Sequence, residues 1–345
     1  FTADVELYHY GPSGLKGAQP AWELVDKDGK LLASGRMEAR DVETGGLTPF
    51  GRIEFPMRDA PAPRKVVLRV FLADNPSIQN SWDHWIYPSQ AEPLIPEGIT
   101  FTQKWNEETR MALTEGKRVF LAVSPKTPLF HAIPANFKPP FWSPLLFASE
   151  QGGMSLLCDP QHPALSEFPT EFHTNWQWWD VMTGSRELVL DQTPPAFHPF
   201  LQVVDSFAHN RKLGLAFEAH VGKGKILVTA LDLVTDLEKR PATRQLRHSL
   251  MKYVASPSFN PSQVLDVEDL DRLFEEPLIY SYRSEPKDLS SAVLHVRASM
   301  NTPQGEPKVW TRDQDEVITC KEGFQYEIRG SCWRDETGSA WHDRK

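Results

Sequence analysis

The residue types most able to do chemistry crowd into one short stretch, His173-Thr174-Asn175-Trp176-Gln177-Trp178-Trp179-Asp180. Indoles stack on the apolar faces of sugar rings, and Asn and Asp bond ring hydroxyls. Trp176, Trp178, Trp179 and Asn175 are therefore candidate ligand-binding residues. Trp176 and Trp178 alternate and on a strand would share one face, with Trp179 and Asp180 beginning a turn or helix. The competing reading buries these indoles in the core with their N–H groups satisfied by backbone. It applies equally to Trp82, Trp85 and Trp142.

A hydrolytic centre needs two titratable groups within reach of one bond, and His173, Asp180 and Asp205 are the candidates. Asn106-Glu107 is the kind of pair that supplies an acid/base carboxyl group in retaining glycosidases. That chemistry requires a second carboxylate about 5 to 5.5 Å away. A (β/α)8 barrel to present it takes about 250 residues in eight strand-helix units, and no such series occurs in this chain. Asn106 reads better as a helix cap. No Gly-x-Ser-x-Gly or Gly-x-Cys-x-Gly elbow is present, so Cys158, although close to His162, reads as a packed thiol and not as a nucleophile. The histidines are scattered, without HExxH or paired-cysteine spacing, so neither a metal nor another cofactor is expected. Gly222-Lys223-Gly224 reads as a hairpin turn.

The elements that would position these groups fall into three parts. Residues 1–90 show short alternating segments separated by turn signals, which predicts an immunoglobulin-like β-sandwich. Its clearest hairpin is AWELVDKDGKLLASG (21–35), turning at Asp28-Gly29. The proline-containing stretch NSWDHWIYPSQAEPLIPEG (80–98) closes the sandwich and leads into a linker. Residues 97–260 predict an open α/β domain: a helix over 105–115, a buried strand over 118–124, a hairpin from 212–221 and 225–233, and a helix over 241–255 that starts at Pro241. Residues 261–345 begin with the acidic, weakly helical VEDLDRLFEE and continue as short strands, AVLHVRAS, GFQYEIRG and GSAWHD, predicting a small β module. Within it, Cys320 and Cys332 either bridge two strands or remain free thiols.

Composition bounds the partners. With 345 residues, 40% hydrophobic and 24% charged, the chain is globular and long enough for two or three domains. A formal charge of −9 argues against nucleic acid, and no apolar run is long enough to span a bilayer. The chain opens at Phe1 with neither an initiator Met nor a leader, so an upstream segment is expected.

Three stretches carry a family resemblance: FPTEFHTNWQWWD (168–180), PFLQVVDSFAHNRKLGLAFEAHVGKGKILVTALDL (199–233) and RPATRQLRHSLMKYVASPSFNP (240–261). They resemble the region C-terminal to the catalytic barrel of large bacterial family 2 glycoside hydrolases. AWELVDKDGKLLASG and NSWDHWIYP resemble the immunoglobulin-like domain that precedes that region. The resemblance covers roughly residues 1–260. It implies that the α/β domain is similar to class I glutamine amidotransferases and flavodoxin-like folds without their catalytic cysteine, and it carries over no catalytic residue. The expected role is an accessory, carbohydrate-associated region of a glycoside hydrolase. Its expected partners are a carbohydrate and an upstream catalytic domain of the same protein, and its expected location is secreted or periplasmic in a bacterium. The alternatives are a free-standing hydrolase of carbohydrates or esters, with its site in the α/β domain, and a non-enzymatic glycan-binding protein.

Overall fold

The computed structural model of the chain describes residues 1–57, 60, 62–89, 95–137, 152–206 and 209–274, and beyond these the backbone of four short strands. The chain divides into two compact units, Phe1–Glu275 and Glu276–Lys345. It combines β-sheet with a few helices, a mixture of α/β and β architecture.

The first unit starts with eight strands: β1 (Thr2–His9), β2 (Leu15–Ala18), β3 (Pro20–Asp26), β4 (Leu31–Arg36), β5 (Arg40–Val42), β6 (Gly46–Glu54), β7 (Arg64–Leu72) and β8 (Asn75–Ile86). They form a four-stranded antiparallel sheet in the order β4-β3-β7-β8 and two antiparallel pairs, β1-β6 and β2-β5. The alternation along the strands decides what they enclose. Val5, Leu24, Phe50, Ile53, Val66, Leu68 and Ile86 point inward and form one core. The β3-β4 turn falls at Asp28-Gly29, as the sequence predicts. Asp26 Oδ1 accepts the Asp28 and Lys30 N–H groups, and Arg64 holds Oδ2 at 2.6 Å.

A mixed eight-stranded sheet follows, built from β9 (Ile99–Thr102), β10 (Arg118–Ala122), β11 (Ala132–Pro134), β12 (Ser155–Cys158), β13 (Arg186–Val189), β14 (Leu201–Val204), β15 (Leu213–Val221) and β16 (Gly224–Thr229). Its main path runs β11-β13-β15-β16-β10-β9. Strand β14 adds to β15, and β12 adds to β14. Only β9, β10 and β16 run parallel, and the other pairings are antiparallel. Alternate residues of the central strands feed two cores, one on each face. Phe120 and Leu227 pack with α2 (Trp178–Met182) and α3 (Pro241–Ala255). Val119, Leu121, Ile226 and Val228 pack with α1 (Glu107–Thr114) and α4 (Val267–Phe274).

Local chemistry sets the helix ends. Asn106 caps α1, its side chain accepting the Thr109 N–H at 3.0 Å, and Glu107 and Glu108 sit favourably in the first turn of the helix dipole. Gly224, in the β15-β16 hairpin, allows α1 to lie against the strand: a Cβ there would come within 2.8 Å of Leu113 Cα and of two backbone oxygens. The core continues past the sequence-derived boundary at 260. Leu265, Leu270 and Leu273 are buried with α1, and Asp271 accepts from Trp105 Nε1 and from Arg110.

In the second unit the described backbone forms two antiparallel pairs, β17 (Met300–Asn301) with β18 (Pro307–Lys308) and β19 (Ser331–Arg334) with β20 (Ala340–Asp343). Strand β20 falls within the predicted GSAWHD segment. The predicted strands AVLHVRAS and GFQYEIRG, together with Cys320 and Trp142, lie outside the described residues.

Candidate ligand-binding cleft

Where β8 runs out of the four-stranded sheet, Asp83, Trp85 and Tyr87 alternate onto one face, beside Lys65 of β7, which pairs in register with Trp85. That face meets the segment leading into α2. Lys65 bridges Asp83, at 2.8 Å, and Glu171. Gln177 Nε2 donates to Tyr87 Oη at 2.8 Å and to the Pro169 carbonyl at 2.9 Å, and Tyr87 stacks on Phe168. Burial alone would pull the Lys65 ammonium down, but its two carboxylates outweigh that and hold it above its ordinary value. The Lys65 ammonium in turn holds Glu171 below the usual carboxylate value. Burial pushes the Tyr87 hydroxyl up, so it stays protonated.

Beside this seam a cleft of about 590 Å³ opens. One wall carries Asp83, His84, Trp85 and Tyr87, and the other carries Trp176, Gln177, Trp179 and Asp180 with Lys239, Pro241 and Ala242 at the start of α3. Trp176 is 74% exposed and Trp179 53%, so two indole faces stand open to solvent. Two polar atoms of the walls are shut off from solvent without a hydrogen-bond partner: the donor Trp85 Nε1 and the acceptor Gln177 Oε1. Each such atom costs about 1–3 kcal/mol relative to a satisfied one. Asp180 is fixed by Arg240 Nε at 3.1 Å and by the Thr243 hydroxyl at 2.9 Å, while Arg240 also reaches Asp232. Burial holds His84 toward its neutral form.

The residues singled out in the sequence separate. Trp176, Trp179 and Asp180 line the cleft. Trp178 does not: it is fully buried, its Nε1 donating to Thr170 Oγ1 at 3.0 Å, because α2 begins at this residue and turns its side chain into the core. The expected shared strand face for Trp176 and Trp178 is replaced by a turn and a helix. Asn175 does not line the cleft either: its Oδ1 accepts the Gln177 N–H and its Nδ2 donates to Glu171.

Of the three hydrolytic candidates Asp180 lines the cleft, while His173 and Asp205 do not join it there. His173 Nδ1 donates to the Thr174 carbonyl at 3.0 Å. Asp205 forms a buried pair with Arg211 at 2.8 Å. Burial opposes its charge, but Arg211 and the N–H groups of Arg211 and Ser206 prevail and keep the carboxyl low. Nor do Cys158 and His162 pair. The thiol, pushed up to about 11 by burial and by Asp159, donates to the Glu171 carbonyl. His162 stacks on Phe200 and places Nε2 3.9 Å from Glu218.

Sequence reasoning passed over Asp83, Gln177 and Lys239. The Asp83-Trp85-Tyr87 alternation was the available signal. The most strongly perturbed carboxyl was also missed. Glu187 on β13 is fully buried, pushed up to about 7 by that burial, and accepts the Asn136 and Gly153 N–H groups at 3.3 and 2.8 Å.

Among solved structures, beta-glucuronidase 2 of Bacteroides uniformis is similar at 12% identity and a TM-score of 0.20, over 36% of this chain and 18% of that one. The beta-glucuronidase of Parabacteroides merdae is similar at 13% identity and a TM-score of 0.18, over 35% and 19%. The chain thus spans under a fifth of the length of these enzymes. No curated protein matches it. Residues 1–88 match the family model described as Domain of unknown function (DUF8488). Residues 100–275, more than half of the chain and all of the mixed sheet but the first residue of β9, match the model described as Domain of unknown function (DUF8487), and the chain belongs to that family.

Proposed function

We propose that the chain is an accessory, carbohydrate-gripping region of a family 2-like glycoside hydrolase, with the cleft between β8 and α2 as its glycan site. The observation that carries the reading is the pair of exposed indoles, Trp176 and Trp179, on a cleft that sets the hydrogen-bonding side chains of Asp83, Tyr87, Gln177, Asp180 and Lys239 among apolar ones. Aromatic faces bury the apolar side of a sugar ring while the polar groups take its hydroxyls. On this reading residues 1–90 are an immunoglobulin-like sandwich. Residues 97–260, extended to Phe274 by the packing of α4, are an amidotransferase-like or flavodoxin-like domain, and the rest is a small β module. The bond-breaking carboxylates belong to a catalytic domain of the same protein, and the site of action is outside the bacterial cytoplasm.

Titration of the purified chain with oligosaccharides, selected on a glycan array, tests this. Trp179→Ala and Trp176→Ala should each weaken binding about tenfold or more, with an unchanged melting temperature. Binding indifferent to both changes refutes the site. Turnover of nitrophenyl glycosides or esters that is abolished by Asp180→Ala refutes the accessory role.

A further inference from the structure

We infer that the cleft takes an uncharged sugar ring and discriminates against uronic or sulfated glycans. The inference rests on the glycan reading above and adds the charge class of the ligand. The two cations that hold the wall carboxylates are each shared between two of them: Lys65 between Asp83 and Glu171, and Arg240 between Asp180 and Asp232. The first turn of α3 opens on the cleft at Pro241, which has no N–H, and Ala242, where the helix dipole would attract an anion. Asp180 already stands there, with Oδ2 on the Thr243 hydroxyl. Lys239 is the lining cation, without an ion pair among the described residues. It is exposed, where one screened charge contributes little. Among the charged side chains that line the cleft, two carboxylates (Asp83 and Asp180) stand against one lysine (Lys239).

What the walls leave unsatisfied is uncharged and of both polarities. Trp85 Nε1 is a donor from the sandwich wall, and Gln177 Oε1 an acceptor from the opposite wall. A hydroxyl accepts and donates at once, so it can serve either atom. A carboxylate or sulfate has no proton to offer Gln177 Oε1 and meets it with like polarity. Both atoms are buried in the protein alone, so binding includes the small side-chain adjustment that uncovers them.

The test is calorimetric titration of the whole chain with a neutral oligosaccharide and with its uronic acid counterpart of equal length and linkage. The neutral ligand should bind about tenfold tighter or better. Trp85→Phe, which keeps a ring and removes the N–H, should weaken it about three- to tenfold at an unchanged melting temperature. Equal or tighter binding of the acidic ligand, weakened by Lys239→Ala, overturns the inference and leaves the glycan site standing. Binding of neither ligand overturns the glycan site itself.

Discussion

Replacing Glu187 by Gln should flatten a pH dependence that the buried carboxyl imposes on folding. Its folded value of about 7 stands above the ordinary 4.5, chiefly because burial disfavours the charged form. A raised folded value means the unfolded chain gives up this proton first. The stabilising contribution is therefore complete below about pH 4.5 and is lost as pH rises through 7. The 2.5-unit difference corresponds to about 3 kcal/mol, of which some 2.5 kcal/mol falls between pH 5 and 8. Gln resembles the protonated acid in shape and keeps one acceptor for the Gly153 or Asn136 N–H. Wild type and Glu187→Gln should therefore be of similar stability at pH 5, and the variant more stable by roughly 2–3 kcal/mol at pH 8. Urea unfolding followed by tryptophan fluorescence at the two pH values measures this. A stability difference that stays constant within about 1 kcal/mol between pH 5 and 8 refutes the assignment.

Gly153→Ala should cost about 1–3 kcal/mol in the same assay, since its Cβ would lie 2.0 Å from Val203 Cγ1 and 2.9 Å from Glu187 Oε2; an unchanged midpoint would contradict this packing. Trp178→Ala should destabilise by about 3–5 kcal/mol and Trp176→Ala by no more than about 0.5, so equal effects would mean the buried and exposed indoles are wrongly assigned. Glu171, held low by Lys65, supports the seam above its ordinary value of 4.5 and loses that support as pH falls through its lowered one. The melting temperatures of wild type and Glu171→Gln should therefore converge between pH 7 and 3, and a gap that persists in acid would show the pair to be idle.

Features written in short-range chemistry could be read from the sequence. The Asp28-Gly29 turn, the cap at Asn106, the helix beginning at Pro241 and the hairpin around residues 222–224 each depend on residues within one turn of each other. The cleft depends on pairings across the chain. Lys65 and Glu171 stand 106 positions apart, and nothing near either announces the other. The alternation of the tryptophan segment mimics strand periodicity, whereas in a turn entering a helix neighbouring Trp178 and Trp179 point about 100° apart, one inward and one out. Glu187 was hidden by the apolar run that follows it, which gives no sign that both faces of β13 are covered. The leucines of α4 do have helical spacing, but their acidic neighbours read as a surface segment until α1 is seen beneath them.

Because the amides of Asn136, just past β11, and Gly153, just before β12, converge on one side chain, two strand ends are pinned to a single carboxyl on β13. A change at residue 187 is therefore felt at both ends at once, whereas a change at either end leaves the other anchored.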